Sequence, residues 1–69
     1  MSINDILDYE RVTITTINGE KFIGKPIAIC YSDETESGEN EIDIETEEGI
    51  IGFLESNIKK AEEIKDGQR

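Results

Sequence analysis

Asp33-x-Thr35-x-Ser37-Gly38 sets oxygen-bearing side chains at alternate positions ahead of a glycine. That is how a calcium-binding loop opens. Such a loop closes on a bidentate glutamate at its twelfth position, and here that position is Ile44. The flanks also read as strands, so no metal site is expected. Cys30 is the lone cysteine, and there is no histidine. Its thiol could act as a nucleophile or a redox switch. Ile27, Ile29 and Tyr31 surround it with strand character, however, and a small apolar role is the better reading. No Ser or Cys stands beside a recognisable base. Carboxylates abound, but acids that alternate along a strand usually form its wet face. A chain of 69 residues has little room for an enclosed pocket unless subunits share one. The chain is expected to be no enzyme and to carry no cofactor.

Binding chemistry is left. Lys59-Lys60 is a basic pair that could meet phosphate, although a lysine pair also discourages aggregation at a strand edge. Tyr9, Phe22, Tyr31 and Phe53 could stack on bases. Phe22 and Phe53 lie in apolar runs and read as core, while Tyr31 sits where a strand meets a polar loop. The formal net charge is −10. No basic residue falls between Lys25 and Lys59, and the stretch from Asp33 to Glu48 alone holds nine acids. Nucleic-acid affinity comes largely from Lys and Arg displacing counterions, so this field opposes RNA or DNA. The acidic run reads as a solvated face that aids solubility.

These residues must be carried by a small scaffold. A chain of about 60 residues buries only about 60% of its unfolded surface, so a staple or self-association is commonly needed. With one cysteine and no histidine, self-association is the expected route. A lone thiol fits a reducing cytoplasm. Ser2–Tyr9 has two acids and no basic residue, which does not suit a signal peptide. No apolar run approaches the roughly 20 residues of a membrane helix.

The stretch 1–9 reads as a short helix capped by Ser2, with Ile3, Ile6 and Leu7 on one apolar face. Val12 and Ile14 alternate with Thr13 and Thr15, the period of a half-buried strand over 10–17. Asn18-Gly19 then signals a hairpin with a type I′ turn. A second strand runs from Lys21 to about Tyr31. Gly24 suggests a bulge or bend inside it, and Pro26 demands an edge, a bulge or an unpaired position. A polar loop spans 32–40. Ile42 and Ile44 alternate with acids in a third strand, and Glu48-Gly49 turns into a fourth, more buried strand over 50–54, with Gly52 a second bend candidate. Ile58, Ala61 and Ile64 are spaced by three, which suits a helix face, but a barrel needs a fifth strand and strand is preferred. The segment 66–69 reads as a frayed tail. The expected core is Val12, Ile14, Phe22, Ile27, Ile29, Ile42, Ile44, Ile51 and Phe53. The whole is one mainly β domain over 1–69. It has a helix at 1–9 and a five-stranded, strongly bent antiparallel SH3-like barrel at 10–65.

The segment Val12-Thr-Ile-x-x-x-Asn18-Gly19-x-Lys21-Phe22-x-Gly24-Lys25 resembles the first motif of the Sm-like family, especially its Hfq-type members. The short helix ahead of it fits, and 49–64 occupies the place of the second motif. The resemblance implies a barrel whose fourth and fifth strands stay open and pair between subunits into a ring. The assembly edge would then include Ile50, Ile51, Phe53, Ile58 and Ile64. The family's base-binding residues do not carry over. The position of its Asp falls on Cys30, and Glu55 stands where a cation would be expected. Asn57 could still hydrogen-bond a base. Tyr31, Asn57, Lys59 and Lys60 are therefore the candidate contacts for RNA or another partner. The expected function is an Sm-like binding or scaffolding module that self-associates and prefers protein partners. An RNA-binding Sm-like protein using the loops near Tyr31 and Asn57 is the alternative.

Overall fold

Alternating burial along the first strand organises the molecule. In a computed structural model, which describes residues 3–65, α1 (Ile3–Leu7) precedes β1 (Arg11–Thr16), β2 (Lys21–Cys30), β3 (Glu41–Thr46), β4 (Gly49–Leu54) and β5 (Ile58–Ile64). A 3-10 turn at Glu55–Asn57 joins β4 to β5. The Ser2 cap and the tail at 66–69 lie outside the described residues. The five strands form one antiparallel sheet in the order β4-β3-β2-β1-β5. The protein is mainly β, as its sequence pattern indicates. β4 and β5 are the two edges, and no ladder joins them among the described residues.

Val12, Ile14, Ile42 and Ile44 are fully buried, joined by Phe53 and Ile58. Ile3 and Ile6 of α1 complete the same cluster, so the helix closes one side of the core. A five-residue helix cannot hold itself together, and docking of these two isoleucines is what fixes it. Leu7, expected on the same face, is 39% exposed: one turn of helix directs only Ile3 and Ile6 inward. Phe22 packs on Phe53 with ring centroids 5.3 Å apart and planes at 60°. Such a tilted pair adds about 0.5–1.5 kcal/mol beyond its area.

The hairpin turns where Asn-Gly marks it, but not through a type I′ turn. That turn needs positive φ at both central residues. Among the described residues only glycines take positive φ, and in this turn it is Gly19, at 88°. Gly19 N–H donates to the Thr16 carbonyl (2.9 Å) and Thr16 N–H to the Glu20 carbonyl (2.8 Å). Ile17, Asn18 and Gly19 thus form a three-residue loop with the glycine in the left-handed position, the next commonest hairpin after the primed turns. Thr16 is buried, and its hydroxyl accepts the Glu20 N–H at 3.2 Å. In the second hairpin the turn falls on Glu47 and Glu48, and Gly49 (φ 117°) opens β4.

The irregularity in β2 lies at Pro26, not Gly24. The ladder pairs Pro26 with Ile44 but Ala28 with Asp43, so Ile27 is an extra residue. Pro26 has no N–H to lose there. Ile27 is pushed out and 41% exposed, which removes it from the expected core. Gly24 instead permits a close approach: a Cβ there would run into the Glu45 carbonyl oxygen and lie 2.7 Å from Ile44 Cγ2. Gly52 has no bulge either, since the β3–β4 ladder passes it without a shift. β4 is less buried than its composition implies. Ile50 is 61% exposed, because it lies on the outer face of the sheet, opposite Glu45.

β5 is a strand, and its spacing of three has a local cause. Thr16 pairs with Ile58 and Thr15 with Lys60, leaving Lys59 as an extra residue. The bulge puts Ile58 and Ala61 on one face, opposite Thr16 and Ile14. Ile64 pairs with Arg11 and falls on the other face.

Candidate interaction surface

The polar loop between β2 and β3 is built by short side chains bonding the backbone. Thr35 Oγ1 donates to the Glu39 carbonyl (2.7 Å), and Gly38 takes φ 78°. Ser37 Oγ donates to Thr35 Oγ1 at 3.3 Å. The hydroxyls that suggested a cation loop thus serve the loop's own closure. Among the described residues no group of three or more His, Cys, Asp or Glu is placed to hold a metal.

Asn40 is the hub of this end of the molecule. Its Oδ1 accepts the Ser32 N–H at 2.8 Å, and its Nδ2 donates to Glu55 Oε1 at 3.2 Å. Its carbonyl accepts the Glu55 N–H at 2.9 Å. Glu39 Oε1 accepts the Ser56 N–H at 3.3 Å. The β2–β3 loop and the turn after β4 are therefore laced together. Glu55 stands at the position where the resemblance expected a cation, and it braces this junction. Asn40 was not visible as a key residue, because its partner lies fifteen positions away.

The four candidate contact residues divide into separate places. Tyr31 is 46% exposed, but its hydroxyl donates to Asn4 Oδ1 at 2.9 Å, linking the loop to α1. Asn57 sits at the hairpin end, where its carbonyl accepts the Ile17 N–H at 3.0 Å. Lys59 is the bulged, exposed residue of β5. Lys60 Nζ lies 3.4 Å from Glu62 Oε2, both side chains well exposed. An exposed pair of this kind contributes little to stability. An open groove of about 380 Å³ runs between Arg11, Lys21, Phe22 and Ile23 on one side and Glu47 and Glu48 on the other. None of the four lines it.

Of the edge residues, Ile50 is outward and exposed, and Ile51 and Ile64 are half-buried. Phe53 and Ile58 belong to the core, so at those two positions only backbone is offered at the edge. Among the described residues no helix is long and apolar enough to cross a membrane. No protein-family model, curated protein or solved structure matches the chain.

Proposed function

We propose that this chain is a non-catalytic binding or scaffolding module of the Sm-like kind. It self-associates through its edge strands in the cytoplasm and engages protein partners in preference to RNA. The observation that carries this reading is the strand order β4-β3-β2-β1-β5 behind a short helix. It leaves open the two edges that the resemblance expects to pair between subunits. β4, Gly-Ile-Ile-Gly-Phe-Leu, has neither charge nor proline on its edge, an unsafe state for a lone domain in water. Pairing β4 with β5 of a second copy is a head-to-tail contact, and a ring results if the rotation closes.

The RNA-binding alternative has less support. The net charge is −10, Glu55 is a brace facing the loop, and the Tyr31 hydroxyl is engaged with Asn4. Sedimentation at micromolar concentration tests the main reading. An oligomer is expected, more complete at 0.5 M salt than at low salt because screening weakens the repulsion between acidic subunits. A monomer under both conditions would remove the assembly reading and favour a solitary SH3-like module. Titration with uridine-rich RNA at physiological salt should show weak or no binding. Submicromolar affinity would put the RNA-binding alternative in its place.

A further inference from the structure

The two edges differ, and the difference fits one to the other. The outer face of β4 presents Ile50, Gly52 and Leu54, which pair with Glu45, Asp43 and Glu41 of β3. A Cβ at Gly52 would run into Glu41 Oε2 and stand 3.2 Å from Asp43 Oδ1. Two carboxylates thus converge over a position on the open edge that has no side chain of its own. On β5 the bulge at Lys59 leaves Lys60–Ile64 as the regular part of the edge. Lys60 opens that part, opposite Thr15 on the outer face, with its side chain 62% exposed.

We infer that β4 of one copy receives β5 of a second copy, antiparallel, in the register that sets Gly52 opposite Lys60. This rests on the self-association reading above and specifies its contacts. The Lys60 ammonium then reaches the Glu41 and Asp43 carboxylates of its neighbour. Ile51 meets Ala61 on the inner faces, and Glu62 falls opposite apolar Ile50. Registers that keep both strands facing the same way differ by two residues. One such shift brings Glu62 against the same two carboxylates and Glu63 against Ile51. Like charges directly opposite repel, and a carboxylate on an apolar face loses its water. The other shift sets the bulged Lys59 opposite Ile51 and leaves only Gly49 and Ile50 to pair with the regular part of β5, whereas the middle register meets the bulge one pair later, at Phe53. Charge and pattern both select the middle register.

Charge reversal in the full chain, followed by sedimentation at one fixed salt concentration, tests this. Lys60→Glu should weaken association by about tenfold, and Glu41→Lys with Asp43→Lys should do the same. All three changes together should recover most of the loss. Thermal unfolding of each variant checks that the fold is intact. Disulfide trapping gives a second readout in a Cys30→Ser background. Ile51→Cys with Ala61→Cys should cross-link between copies on mild oxidation, and Ile51→Cys with Glu63→Cys should not. Association indifferent to the reversals, or cross-linking by the second pair alone, overturns this register and leaves self-association standing. A wild-type chain that stays monomeric overturns both.

Discussion

Gly24 and Gly52 look alike in the sequence, each a lone glycine inside an apolar strand, and the molecule uses them in opposite ways. Gly24 is buried between β1 and β3, and its missing side chain lets the Glu45 backbone come close. Gly52 is exposed on an edge strand, and what crowds it is the far end of the Glu41 side chain. A backbone carbonyl held in a ladder cannot step aside, whereas a surface carboxylate can rotate away. The inner half of the sheet is fitted to its residues, and the outer edge is adaptable.

The sharpest way to break that comparison is at Phe53, beside Gly52 but facing the core. Phe53→Ala should cost about 3–5 kcal/mol, comparable to the whole stability of so small a domain. A cooperative unfolding transition near the wild-type midpoint would mean Phe53 is peripheral. Gly24→Ala comes next, at about 1–3 kcal/mol, because overpacking against backbone has no easy relief. Denaturant titration reads it, and an unchanged midpoint would mean that the inner half of the sheet is not closely fitted. Gly19→Val should cost about 1–2 kcal/mol, from backbone strain alone. Nothing lies within 4 Å of a Cβ there, yet φ is 88°. Gly52→Ala should change stability by less than about 0.5 kcal/mol, since the Glu41 carboxylate swings aside. A loss as large as that of Gly24→Ala would show the two glycines to be equivalent after all.

Strands were legible where one face is buried and pairing is regular. Val12 with Ile14, and Ile42 with Ile44, keep the period of two and occupy the core as the pattern implies. Pattern failed at the bulges. Ile27 looks like a core residue until the ladder with β3 slips at Pro26, and that slip is settled by a partner strand rather than by the residue itself. The spacing of Ile58 and Ala61 held both a helix and a bulged strand, and only pairing with β1 separates them. The turn at Asn18-Gly19 was readable in place but not in type, because Asn18 did not need positive φ once the loop had three residues. At the candidate surface, Tyr31 and Lys60 were recognisable as exposed groups. The bonds from Asn40 to Glu55 and from Tyr31 to Asn4 join distant segments, and no local pattern encodes them.

The pairing of Arg11 with Ile64 has a consequence for how the molecule comes to exist. Among the described residues three of the four ladders join consecutive strands, so β1 through β4 can zip up as hairpins while the chain is still being made. β5 alone must travel back to the first strand, closing a loop that contains nearly all of the domain. Closure over such a span is entropically slow, and contacts far apart in sequence delay folding more than they weaken the final state. Until that last strand arrives, β1 is itself an edge, and a newly made chain offers two incomplete borders to its neighbours. The order of synthesis thus decides when the domain is most open to the wrong partner: in the interval between its fourth strand and its fifth.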